Sequence, residues 1–223
     1  FSWYSTFRIE AKYGFNTTTP ARFVKDLLLS GILSLILGIP ILSAVLWIWN
    51  AAGAFWWFWA WLAYIFFILA VQWIYPTFIA PLFNKFTPLP EGELKSRLEG
   101  LLSRIGFASK GLSVMDASKR SAKGNAYMTG FGKNKRIVLF DTLLSKMTPE
   151  ETEAVLAHEL GHYKLHHIYK MMAFSFIFSL LFFWILSVLA ECSWFYEGLG
   201  VNLSHGASHG VALILFSVAV PVF

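Results

Sequence analysis

The chain has 223 residues, of which 57% are hydrophobic and 18% aromatic, while only 14% are charged. Soluble domains carry roughly 25% charge, and the core of one this size has no room for 22 Phe and 10 Trp, so composition excludes an ordinary water-soluble globule and indicates a membrane protein. The net charge of +5 reads as sidedness rather than nucleic-acid binding, and the single cysteine, Cys192, excludes an intrachain disulfide framework.

A spanning helix needs about 20 mainly apolar residues. In chain order, Leu27–Trp49 meets that requirement, with Pro40 expected to kink it, as membrane helices tolerate. Ala54–Tyr75 is the second span, and its Trp-rich front end belongs at the membrane–water interface. Between Asn84 and His167 the character changes to that of a small soluble domain. Leu94, Leu98, Leu101, Leu102 and Ile105 recur at helical spacing and predict an amphipathic helix. Leu112–Ala117, Asn125–Phe131 and Lys135–Phe140 read as strands, with Gly132-Lys133-Asn134 as a hairpin turn between the last two. Ile168–Ala190 is a third span, with Lys170 snorkelling near its end, and Gly210–Phe223 opens a fourth. The predicted organisation is therefore residues 1–83 as an N-terminal segment with two spans, 84–167 as the soluble domain, and 168–223 as the third span, a loop and the start of the next. A chain that opens at Phe1 and stops inside an apolar run reads as a piece of a longer protein.

Basic residues give the orientation. Arg8, Lys12, Arg22 and Lys25 flank the first span, and the soluble domain carries most of the remaining Lys and Arg, whereas Asn50–Gly53 and Glu191–His209 carry none. Two spans separate the basic flank from the soluble domain, so both face one side, and the positive-inside bias makes that side the cytoplasm.

The chemistry is concentrated in AVLAHELGHYKLHH, Ala154 to His167. Thr148, Pro149 and Glu151 supply a helix start with a capping box. On that helix His158 and His162 lie one turn apart on one face and can converge on a single zinc ion at about 2.0–2.1 Å. Glu159, beside His158, is placed to take a proton from water made acidic by the metal. His166 lies about 12 Å along the axis from His158, so on a straight helix it cannot share the ion and is expected to be solvated or interfacial. His167 opens the third span, either supporting the site or sitting at the interface, with the interface favoured. A third protein ligand is required. Glu191 and Glu197 are the only acidic residues after His167, and both are rejected because the third span, about 30 Å of bilayer, separates them from the motif. In zinc sites built on this motif the third ligand is usually a Glu on a later helix, and it is expected beyond residue 223.

With these residues in view, the chain resembles the integral-membrane CAAX prenyl protease type 1 family, zinc metallopeptidases. EAKYGFNTTT (Glu10 to Thr19), PLFNKFTPLPEGEL (Pro81 to Leu94), SAKGNAYMTGFGKNKRIVLFDTLL (Ser121 to Leu144) and HELGHYKLHH (His158 to His167) carry the resemblance over nearly the whole chain. It implies an α-helical integral membrane protein with a small α/β cytoplasmic zinc metalloprotease domain, here a fragment of a bundle of about seven helices around a water-filled chamber. It also implies one Zn²⁺ on His158 and His162, Glu159 as base, and Asn125 and Ala126 on an edge strand that holds the substrate in extended form. Strand addition at a sheet edge is a recurrent way of binding peptides. Implied partners are a peptide or protein substrate, lipidated in the eukaryotic case and a membrane protein for turnover in prokaryotes, together with membrane lipids and no nucleic acid. The implied membrane is the endoplasmic reticulum or the bacterial inner membrane. Neither Glu191 nor Glu197 has Asp four positions on, so the family's Glu-x-x-x-Asp segment, a later histidine and the first span are not matched. The alternatives are a heat-shock quality-control protease of the same clan, a site-two-type intramembrane protease, and a non-catalytic metal-binding scaffold. The polar flanks TPEETE and YKLHH argue against a mid-bilayer motif.

Overall fold

The computed structural model describes residues 1–107, 111–130, 135–201 and 209–219. In chain order its main elements are α1 (Pro20–Ala51), α2 (Trp56–Ile74), β1 (Phe86–Pro88), α3 (Glu93–Ile105), β2 (Leu112–Met115), β3 (Ala126–Thr129), β4 (Arg136–Phe140), α4 (Pro149–Lys164), α5 (His167–Leu189) and α6 (His209–Ala219). Among the described residues, three helical stretches, Pro20–Ala51, Gly53–Phe83 and His167–Leu189, are long and apolar enough to cross a membrane. The protein is thus a multi-pass membrane chain with a small α/β domain. The chain forms two compact units, Phe1–Ser30 with Ala70–Ile168, and Gly31–Leu69 with Tyr169–Phe223.

The first unit is built on a four-stranded sheet of order β1-β2-β4-β3. The outer pairings are antiparallel, and the central β2–β4 pair is parallel, with Leu112 opposite Ile137 and Met115 opposite Phe140. Side chains alternate across a strand, so each strand divides between two faces. Ala126, Ile137 and Leu139 go to one face, where they join Leu98 of α3 and Leu156 and Leu160 of α4 in the main core. Leu98, Ile137, Leu139 and Leu156 are wholly buried there. Gly106, in the left-handed conformation at φ 70°, ends α3 and turns Phe107 back into the same core. The N-terminal segment is tied to this unit by Arg120–Asp26 at 2.7 Å, Lys123–Glu10 at 2.7 Å and the Ala122 N–H donated to Phe15 O at 2.8 Å.

The second unit is helical and mostly turns its apolar surface outward. Its core gathers Val45, Trp49, Ala60, Leu186 and Phe216. Trp49 and Trp56 stack with ring centroids 3.6 Å apart, and His209 stacks on Trp49 at 4.5 Å. The Trp61 indole N–H donates to Phe176 O at 3.2 Å and Ser179 Oγ at 3.1 Å, joining α2 to α5. Such interhelical hydrogen bonds matter where lipid offers no partner.

Three local features depart from the sequence expectation. The first helix begins at Pro20 rather than Leu27, because Pro suits the first helical position and the polar residues after it hide the start from a hydropathy reading. After Ile74 the helix widens into a π turn, Tyr75–Ile79, at Pro76, which has no N–H to give to the regular ladder. Strand β1 has only three residues, one of them Pro88, too few to show the alternation that marks a strand. The expected hairpin turn Gly132-Lys133-Asn134, the strand end at Phe131 and the last part of the fourth span lie outside the described residues.

Candidate metal centre

Helix α4 starts where the capping residues dictate. Thr148 Oγ1 accepts the Glu151 N–H at 3.3 Å, and Glu151 Oε2 accepts the Thr148 N–H at 2.8 Å, closing the capping box. Thr152, Leu156 and Leu160 recur at four-residue spacing and form the buried face. Arg97 reaches Glu150 at 2.7 Å and Arg104 reaches Glu153 at 3.0 Å, fastening α3 to α4. At the other end, Phe107 meets Tyr163 edge-on at 4.8 Å, and Lys135 lies over both rings while its ammonium contacts the Tyr163 hydroxyl. A helix held along one face and at both ends offers a rigid base for whatever its outer face carries.

That outer face carries His158 and His162, both exposed, and Glu159, next to His158 in the chain, is half-buried. Their Nε2 atoms lie 3.2 Å apart. Two ligands at about 2.0 Å from a tetrahedral ion are separated by about 3.3 Å, so the pair matches one edge of a zinc coordination tetrahedron. Among the described residues no group of three or more His, Cys, Asp and Glu gathers as a complete metal site.

The structure also differs from the expectation for His167. Of the two places open to this residue, supporting the site or sitting at the interface, the sequence favours the interface, but its Nδ1 lies 2.8 Å from Nδ1 of His162. The cause is a break in the helix. α4 ends at Lys164, Leu165 caps it, and His166 takes the left-handed conformation at φ 57°, which is uncommon for a residue with a Cβ. The chain folds back there, and His167 at the start of α5 returns to the ring of His162. A hydrogen bond on Nδ1 fixes the ring orientation and leaves Nε2 as the free ligand atom, the usual support for a metal-bound imidazole. Straight-helix geometry could not have shown this contact. The only sequence signal was the polar Lys-Leu-His-His break ahead of an apolar run. His166 itself is exposed in the connecting turn.

Asn125 and Ala126 stand at the start of β3, the edge strand, which runs alongside α4. The Phe140 N–H donates to Asn125 O at 3.0 Å, and hydrogen-bonded and non-hydrogen-bonded pairs alternate along an antiparallel ladder. Ala126 and Met128 therefore turn their backbone groups to the free edge. The Ala126 N–H is taken by Asn125 Oδ1 at 2.9 Å. Just upstream, Gly124 packs so closely that a Cβ there would lie 3.3 Å from Leu143 Cα, and Lys123 O accepts the Thr142 hydroxyl at 2.8 Å. These contacts set the angle at which the edge enters.

Comparison with known proteins agrees with this architecture. The N-terminal domain of CAAX prenyl proteases, described as having five membrane helices, matches residues 1–85, and peptidase family M48 matches residues 88–221. The chain belongs to peptidase family M48, in its CAAX prenyl protease type 1 branch. It is 49% identical over 168 residues to the CAAX prenyl protease 1 homolog of Arabidopsis thaliana, covering 75% of this chain and 40% of that protein. It is 42% identical over 204 residues to CAAX prenyl protease 1 of Saccharomyces cerevisiae, covering 91% and 45%. The crystal structure of S. mikatae Ste24p superposes with a TM-score of 0.88 at 36% identity, over 99% of this chain and 55% of that one. The chain thus spans about half the length of the curated relatives it matches.

Proposed function

We propose that this chain carries the metal-binding helix and the substrate-binding edge of a membrane-embedded zinc endopeptidase that cuts near the C-terminus of prenylated proteins. The observation that carries the reading is the 3.2 Å separation of the His158 and His162 Nε2 atoms, which suits two of four zinc positions. A third ligand, a Glu, comes from beyond residue 223. When bound, zinc supplies Lewis acidity that polarises a carbonyl and makes water nucleophilic near neutral pH. The remaining work belongs to side chains. Glu159 takes the proton of the attacking water and passes it to the leaving amine. His167 holds His162 in the right tautomer. The outward backbone of Ala126 and Met128 pairs with an extended substrate, and the Asn125 side chain swings off the Ala126 N–H to admit it. The basic N-terminal flank and the basic soluble domain orient the site to the cytoplasm, and the relatives' names support a prenylated substrate.

Glu159→Gln in the intact protein tests this reading. Bound zinc should remain at the wild-type level while cleavage of a prenylated peptide is lost. Cleavage of an unfolded membrane protein in preference to the prenylated peptide would favour the quality-control reading. Retained cleavage in the variant would remove the mechanism.

A further inference from the structure

The sheet face turned away from α3 and α4 is only partly covered, by a small cluster of Met115, Ala117 and Val138. It bounds a half-open cavity of about 530 Å³, lined also by the first turns of α1 and the segment that follows α2. Tyr127 and Thr129 of β3 and Arg136 and Val138 of β4 line it, the residues that alternate with the buried Ala126, Ile137 and Leu139.

Its charge is one-sided. Arg22, Lys25, Lys85, Lys119, Arg120 and Arg136 line the cavity against only Asp26 and Asp116. Both carboxylates are already engaged. Asp26 receives Arg120 Nε at 2.7 Å and Nη2 at 3.0 Å. Asp116 is paired with Lys119 and accepts the Lys85 N–H at 2.7 Å. Partial burial pushes the Asp116 carboxyl up, but those two hydrogen bonds and the charges of Lys119 and Arg120 outweigh it and hold the group below its usual range, so it stays ionised. Among the described residues, Arg22, Lys25, Lys85 and Arg136 are left without a carboxylate partner. Four such cations around one hollow repel each other and focus a positive potential into it.

Position then selects the ligand. Arg22 and Lys25 stand in the first turns of α1, just before the apolar run that begins at Leu27, and Tyr75 and Pro76 close the apolar run of α2. Both ends mark the depth at which lipid headgroups lie and where aromatic and basic residues collect. No glycine lines the cavity, so it lacks the backbone cradle of a nucleotide phosphate loop. We infer that this cavity binds the phosphate of an anionic phospholipid headgroup, through Arg22, Lys25, Lys85 and Arg136. Bound there, the lipid touches β3 by the Tyr127 and Thr129 side chains and leaves its backbone edge open.

The test uses the intact, delipidated protein in neutral detergent. Binding of dihexanoyl phosphatidic acid is compared with binding of dihexanoyl phosphatidylcholine and of inorganic phosphate, by calorimetry and by thermal shift. The K25Q/K85Q/R136Q variant and its charge-preserving counterpart K25R/K85R/R136K accompany wild type. Phosphatidic acid should bind and raise the melting temperature of wild type and of the charge-preserving variant, and phosphatidylcholine should not. The Gln variant should lose about a hundredfold in affinity, with its melting temperature without lipid unchanged, since all three side chains are exposed. Equal binding to the Gln variant and wild type overturns the assignment. So does loss of binding in the charge-preserving variant. Inorganic phosphate binding as tightly as the lipid assigns the cavity to free phosphate and overturns the lipid source.

Discussion

Leu156 and Ile177 are similar side chains on two helices of one chain, and they meet opposite fates. Leu156 is 0% exposed beneath the sheet, whereas Ile177 is 69% exposed on α5. In the first unit an apolar side chain earns its place by leaving water, so Leu98, Ile137, Leu139 and Leu156 interlock and exclude solvent. In the second unit hydrocarbon is the solvent, so Phe174, Ile177 and Leu35 face outward without penalty and packing decides only where helices touch. Hydrophobicity therefore specifies packing in one region and merely location in the other. The candidate site residues His158, Glu159 and His162 belong to the tightly specified one.

Substitutions can break or sharpen that contrast. Leu156→Ala should cost about 2–5 kcal/mol, the range for a buried Leu whose site relaxes only partly, read by chemical denaturation of the intact protein. Leu35→Arg should cost about 2.5–3.5 kcal/mol of membrane insertion, measured in a translocon insertion assay, although Leu35 is 61% exposed. A tolerated Arg there would place α1 in water and dissolve the distinction. Thr148→Ala should cost about 1 kcal/mol, since it removes an acceptor that the start of α4 uses. Ile177→Ala should stay within about 0.5 kcal/mol, because lipid chains replace the lost contacts; a cost equal to that of Leu156→Ala would refute the comparison.

The smallest effect is a pH dependence. The Asp116 carboxyl lies below its ordinary value of 3.8 in the folded protein. Its contribution to stability is therefore complete above the unfolded value and is lost as pH falls through the lower folded one. The melting-temperature difference between wild type and Asp116→Asn should persist at neutral pH and shrink below about pH 4.

Part of this was legible in the residues. α3 follows from the spacing of Leu98, Leu101 and Leu102, all buried as that spacing requires. α4 follows from Thr148, Pro149 and Glu151. β2, β3 and β4 fall inside the predicted segments with ends trimmed by one or more residues. The pairing of His158 with His162 needed only a helical pitch. What escaped has a common cause, namely dependence on residues distant in sequence or on a single backbone angle. Strand β1 exists because β2 is there to pair with it, Phe86 opposite Met115. The return of His167 to His162 hangs on the left-handed turn at His166.

The sequence by itself determined the solvent of each segment and which residues share the candidate metal-binding face of one helix, since composition and a four-residue spacing are local properties. Only the tertiary structure decided the sheet order, with parallel β2 and β4 at its centre and β3 left as the open edge. It alone placed His167 against His162 and six cations around one cavity. Those arrangements come from closing the chain on itself, and no window of residues short enough to read by periodicity contains both partners of such a contact.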